Sequence, residues 1–254
     1  MRRILILGGT GEARQLAGRL VARADLAVTL SLAGRTVSPA AQAVPVRIGG
    51  FGGAAGLAEY LSVESIDALI DATHPYAATI SANAARAAKL RTTPLLALRR
   101  APWIPVTGDH WIDVADVQNA VKALANPPRR VFLAIGRQEL APFADAPQHH
   151  YLVRSVDPVD PPLAVPHADY ITGRGPFDEA HDRTLLREHR IEIVVAKNSG
   201  GTATYGKIAA ARALGLPVIL LQRPVLPQVA TVDTVADAVA WLDHAPASVA
   251  ERGV

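Results

Sequence analysis

Arg2-Arg3-Ile4-Leu5-Ile6-Leu7-Gly8-Gly9-Thr10-Gly11-Glu12-Ala13-Arg14 is the stretch on which the fold turns. The apolar run Ile4 to Leu7 leads straight into Gly8, Gly9, Thr10 and Gly11, and a helical pattern opens at once. That order predicts a buried strand, a glycine turn and a helix N-terminus. Such a turn lets phosphate oxygens approach bare backbone N–H groups at the positive end of a helix dipole. It points to a dinucleotide, with Gly9, Thr10, Gly11, Glu12 and Arg14 as the expected cofactor contacts. The spacing departs from the usual fingerprint, because Arg14 stands where a third glycine would complete Gly9-x-Gly11. The alternative is a strand-to-helix turn that binds nothing.

Outward from this turn, strand and helix patterns alternate. Strands are predicted at 3–8, 27–32, 45–48, 67–71 and 94–98, and helices at 11–23, 53–63 and 76–90. A run of βα units reads as a parallel, doubly wound sheet with right-handed crossovers. Pro102, Trp103 and Pro105 then interrupt the alternation and mark a hinge. A second series follows, with strands at 130–135, 150–154, 168–172, 191–196 and 217–221 and helices near 113–125, 178–189, 202–214 and 232–243. The expected architecture is therefore α/β, with two Rossmann-like parallel-sheet halves and a ligand cleft between them. The N-terminal cofactor domain would span 1–101 and the C-terminal domain 102–254, with the last helix packing on the second half or returning to the first.

Composition agrees. Half of the 254 residues are apolar and only 5% are aromatic, which suits aliphatic helices packed on a parallel sheet. The chain has no cysteine, so disulfides, thiolate metal sites and a cysteine nucleophile are excluded. No signal-peptide pattern follows Met1, and no stretch approaches about 18 uninterrupted apolar residues. A cytoplasmic protein that does not engage a membrane is expected. Net charge is +3, carried by scattered arginines rather than a basic stripe with interleaved aromatics, so nucleic acid is not an expected partner. Scattered guanidinium groups suit a small polyanion, which arginine grips in bidentate fashion.

In open α/β sheets ligands lie beyond the carboxyl ends of the strands, so the loops there carry the chemistry. After the second strand come Ser31, Gly34, Arg35 and Thr36. No acidic residue stands between Asp25 and Glu59 to bind a ribose 2′-hydroxyl, whereas Arg35 is available for a 2′-phosphate, which favours NADP over NAD. The alternative is an ordinary loop arginine. Gly49 and Gly50 allow close backbone approach, and Phe51 offers a ring face. In Asp71-Ala72-Thr73-His74-Pro75-Tyr76, Thr73 or His74 can cap the next helix and Pro75 suits its first position. His74 and Tyr76 can also donate a proton or meet a nicotinamide ring. In the second half, Gly136-Arg137 and Gly173-Arg174 each follow a strand. Lys197-Asn198-Ser199-Gly200-Gly201-Thr202 reads as an anion-binding turn at a helix start. It is not a Walker loop, since its lysine precedes the glycines. The histidines lack a metal-ligand pattern, so no metal is expected.

Six segments together resemble the precorrin-6A reductases of cobalamin biosynthesis. They are Gly8 to Arg14, Gly49 to Gly52, Asp71 to Ala77, Arg100-Ala101-Pro102-Trp103, Gly173 to Phe177 and Lys197 to Gly201. The resemblance implies an NADPH-dependent enzyme that delivers hydride to a ring carbon of a corrin precursor, with a proton added at the neighbouring atom. It implies a tetrapyrrole substrate with many carboxylates, for which Arg137, Arg154, Arg174 and Lys197 are the expected holders. Thr73, His74, Asn198 and Ser199 join the expected cofactor contacts, and His74 and Tyr76 are the expected proton donors if a dedicated one exists. Hand-over of intermediates to neighbouring pathway enzymes is a further expectation. Two rivals remain. A short-chain reductase would want Tyr-x-x-x-Lys, and Tyr205-Gly206-Lys207 lacks that spacing. A redox-sensing module would bind NADPH without consuming it.

Overall fold

The apolar run Ile4 to Leu7 is buried on both faces of a sheet, and its alternation sorts the helices. The computed structural model describes residues 1–34 and 40–244. Its strands are β1 (Arg2–Leu7), β2 (Leu26–Leu32), β3 (Val46–Ile48), β4 (Ala68–Asp71), β5 (Leu95–Leu98), β6 (Trp111–Val114), β7 (Arg130–Ala134), β8 (His150–Ser155), β9 (Ala168–Thr172), β10 (Ile193–Lys197), β11 (Val218–Leu221) and β12 (Ala230–Val232). Its α-helices are α1 (Gly11–Leu20), α2 (Gly53–Val63), α3 (Ala78–Arg91), α4 (Val117–Ala123), α5 (Glu179–Glu188), α6 (Gly206–Ala213) and α7 (Val235–His244). Ile4 and Ile6 join one apolar cluster with residues of α1 and α7. Leu5 and Leu7 join a second cluster with residues of α2 and α3. Successive side chains of a strand point to opposite faces, so a four-residue aliphatic run serves both layers.

The chain divides into two units, residues 1–100 with the stretch from 224 onward, and residues 101–223. Each holds one six-stranded sheet. In the first the order is β12-β5-β4-β1-β2-β3, and in the second β6-β11-β10-β7-β8-β9. All registered pairs are parallel, as in β1 with β2 (Ile4 opposite Val28) and β10 with β7 (Val194 opposite Phe132). Each sheet reverses direction of growth once, between β1 and β4 in the first unit and between β7 and β10 in the second. The loops leaving those four strands are therefore the expected ligand sites.

Three sequence expectations change. Residues 224–244, assigned to the second half, return to the first: β12 pairs with β5, Thr231 opposite Ala97. α7 buries Val235, Ala238 and Leu242 in the cluster of Ile4 and Leu16. The predicted helix 113–125 is instead β6 followed by α4, because Trp111 to Val114 complete the edge beside β11. Asp116 then caps α4 by accepting from Asn119 N at 2.8 Å. The predicted helix 76–90 starts two residues later, with Ala77 at its cap and no side-chain cap. Pro75 is thus not its first residue. Among the described residues no helix is long and apolar enough to cross a membrane.

Candidate functional site

In the first unit the glycine turn sits where β1 and β4 diverge. The Gly8 amide donates to Ser31 O at 2.9 Å, which seats the turn on the end of β2. A Cβ on Gly8 would lie 2.6 Å from Leu30 Cδ1 and 3.4 Å from Ala13 Cβ, so this glycine allows close helix–strand packing. Ala13 is fully buried and fills the packing role of the fingerprint's third small residue. Arg14, one position later, points outward from α1, which explains why no glycine is needed there. Gly9 holds φ +117°, and nothing lies within 4 Å of a Cβ built on Gly9 or Gly11. Thr10 caps α1 by accepting from Ala13 N at 3.1 Å and donates to Ala72 O at 2.8 Å. One hydroxyl thereby ties the glycine turn to the loop after β4. Open space over a glycine turn at a helix N-terminus fits a dinucleotide diphosphate.

The loop after β4 is organised by a buried carboxylate. Asp71, 2% exposed, accepts from the Thr73 hydroxyl at 2.6 Å and the Thr73 amide at 3.2 Å, and from the Ser81 hydroxyl at 2.6 Å. Arg99 stands 3.6 Å from the same carboxylate and also reaches Pro227 O at 3.2 Å. Thr73 is held by Asp71, and it does not cap α3, which starts five residues on at Ala78. His74 Nδ1 accepts from Tyr76 N at 3.3 Å, and the two rings are 5.6 Å apart. Glu12, in the first turn of α1, pairs with Arg100 at 2.7 Å. Thr10, Glu12, Thr73, Pro75, Arg99 and Arg100 line one small hollow.

At the other end of the same sheet edge lie Ser31, Gly34 and the Gly49–Phe51 loop. Gly34 holds φ +73°, and Ser31 is buried. The expected contacts Arg35 and Thr36 lie outside the described residues. Composition did not single out Arg47, which sits opposite Ser31 in the β2–β3 register. It donates to Gly49 O at 2.6 Å and Gly50 O at 2.7 Å, and its guanidinium lies 3.8 Å over the Phe51 ring. Phe51 in turn meets Tyr60 edge-on at 5.2 Å. Burial raises the Tyr60 phenol above its ordinary range, Glu64 adds to that, and the charge of Arg47 opposes it.

In the second unit the loops after β7 and β10 meet: Lys197 Nζ donates to Glu139 Oε1 at 2.6 Å. Asn198 is buried and turns both ends of its amide to the backbone of Trp103, at 2.8 and 3.0 Å. It shapes the loop. Trp103 Nε1 donates to Gly201 O at 2.7 Å, and Arg223 donates to Ser199 O at 3.0 Å. A Cβ on Gly200 would meet Ala101 O at 2.0 Å. The segment read as a hinge is thus the seat of the Lys197–Thr202 loop. Arg174 is exposed, and Arg137 donates to Pro158 O at 3.4 Å. Arg154 is buried, paired with the fully buried Asp182 and stacked 3.9 Å over Phe177, so it pins α5 to β8.

The family model for precorrin-6x reductase CbiJ/CobK matches residues 3–243. The chain belongs to this family. It is 55% identical over 242 residues to a precorrin-6A reductase from Sinorhizobium sp, covering 95% of this chain and 93% of that one. It is 51% identical over 245 residues to one from Rhodobacter capsulatus, covering 96% and 97%. A solved CobK precorrin-6A reductase superposes over 100% of both chains with a TM-score of 0.93 and 49% identity. Two pairs of the segments quoted from the sequence meet in space: Gly8–Arg14 with Asp71–Tyr76, and Ala101–Trp103 with Lys197–Gly201.

Proposed function

We propose that the chain reduces precorrin-6A to precorrin-6B with NADPH as reductant. The observation that carries this reading is the open Gly9–Gly11 turn at the strand reversal of the first sheet, in a chain matched from residue 3 to residue 243 by its family. When bound, NADPH supplies a hydride to one double bond of the macrocycle.

The residues of the first unit take separate parts. Backbone amides of Gly9 to Glu12 receive the diphosphate, since the first N–H groups of a helix lack intrahelical acceptors. Ser31, Gly34, Arg35 and Thr36 receive the adenosine end, with Gly49, Gly50 and Phe51 beside them. Thr73, held in place by Asp71, and His74 meet the nicotinamide end. His74 and Tyr76 are the first groups to test for proton delivery. In the second unit Arg137, Arg174 and Lys197 hold substrate carboxylates. Hydride transfer needs orientation and exclusion of water more than acid–base chemistry, and solvent suffices as the proton source where no side chain supplies it.

The test is anaerobic loss of reduced-nicotinamide absorbance with precorrin-6A, run in parallel with NADH and with the Arg35→Ala variant. Consumption that depends on the tetrapyrrole, prefers NADPH and loses that preference in the variant is the expected result. Cofactor binding without consumption, on the metal-free and the cobalt-containing substrate alike, would leave the redox-sensor reading in its place.

A further inference from the structure

Arg47 carries a charge for which the described residues provide no carboxylate. Among the described residues it makes no ion pair, and the sequence has no acidic residue from Leu26 to Ala58. Its partners are neutral: two backbone carbonyls, two aromatic rings, and Ser31 Oγ at 3.4 Å. A latch for two carbonyls needs donors only, and an uncharged amide would serve. A guanidinium fixed in plane by two short hydrogen bonds and backed by a phenyl face is instead a rigid, pre-oriented cation. Its rotamer entropy is already lost before any ligand arrives.

The position is specific. Arg47 stands directly across from Ser31 in the parallel register, at the carboxyl end of β2, where a dinucleotide's adenosine ribose is read. Ser31 is a hydroxyl donor within reach of the same guanidinium. A hydroxyl and an arginine side by side make a dianion site, because phosphate accepts from both in short, charge-assisted bonds.

We propose that Arg47 binds the 2′-phosphate of the cofactor, in addition to the contact expected of Arg35. This rests on the NADPH reading above and deepens it: a guanidinium fork that discriminates NADPH from NADH is built on β3.

Equilibrium binding to the full chain tests it, by calorimetry with NADP⁺ and NAD⁺ and with 2′,5′-ADP and 5′-AMP. Arg47→Met is expected to weaken NADP⁺ and 2′,5′-ADP by about tenfold to a hundredfold, the range for a lost charge-assisted hydrogen bond. NAD⁺ and 5′-AMP should bind as before. Arg47→Lys, which keeps the charge and loses the fork, should fall between. Equal weakening of both ligand pairs, or no change in either, would overturn the proposal and leave a loop latch. Should Arg47→Met fail to fold, the lysine variant decides, since unchanged 2′-phosphate selectivity there also overturns it. A parent chain that binds NADP⁺ no better than NAD⁺ would instead defeat the NADPH reading itself.

Discussion

Gly9 shows how a single residue links backbone conformation to the site. Its φ of +117° lies in a region that side chains rarely adopt, yet nothing stands within 4 Å of a Cβ there. Gly9→Ala therefore meets backbone strain and no clash, at a cost of about 1–3 kcal/mol, and the new methyl projects into the space over the turn. The expected outcome is a lower melting temperature together with weakened NADPH binding in titration. Unchanged affinity in the folded variant would place the diphosphate elsewhere. Gly9 and Gly11 were legible in the sequence because glycine announces its own conformational freedom. Arg47 was not, because nothing in Pro45-Val46-Arg47-Ile48 separates a cation facing Ser31 from one facing water. Thr73 was misread for a related reason: nothing in the sequence shows that α3 opens only at Ala78, five residues on and out of reach of its hydroxyl.

Elements were more legible than their side chains. Apolar runs identify strands whose both faces are covered, and β1, β4, β5, β7, β10 and β11 carry such a run. β6 and β12 do not. Trp111 to Val114 is short and mostly exposed, and Ala230 to Val232 has three residues at a sheet edge; each is a strand only because a partner offers its free edge. The placement of α5 rests on a charge pair that no periodicity reveals. Arg154 on β8 and Asp182 in the first turn of α5 are both buried, with a second contact at 3.3 Å. Removing one partner strands the other without solvent, so Asp182→Ala should cost about 3–5 kcal/mol. The double variant Arg154→Met with Asp182→Leu should recover much of that loss, because apolar replacement of a buried pair is often neutral. Chemical denaturation of both variants measures this. A double variant as unstable as the single one would show that the pair acts through packing on Phe132 and Phe177 rather than through charge.

For the whole molecule the decisive fact is the route of the chain. The second sheet takes all six strands from residues 101–223, whereas the first needs β12 from beyond the second unit. Sequence alone could not assign that tail, because a three-residue strand and one amphipathic helix fit either sheet by pattern. Several contacts specify the first. Arg2 donates to Leu242 O at 2.7 Å, Arg23 pairs with Asp243 at 2.8 Å, and the Arg99 amide donates to Val232 O at 2.8 Å. A chain ended after Arg223 therefore keeps the second unit intact and strips the first of β12 and α7. The loss exposes the cluster side chains under Val235, Ala238 and Leu242, each buried leucine or valine contributing about 1.5–3 kcal/mol. It also bares the edge of β5. With a domain's total stability of about 5–15 kcal/mol, the first unit should lose its cooperative fold while the second retains its own. Hydrogen exchange reads the two separately: amides of β7 and β10 should stay protected, and those of β1 and β4 should exchange freely. A peptide spanning 224–244 added in trans should restore protection to β1 and β4, and with it NADPH binding. Protection of β1 without the peptide would mean that five strands suffice and that the returning tail serves the site rather than the fold.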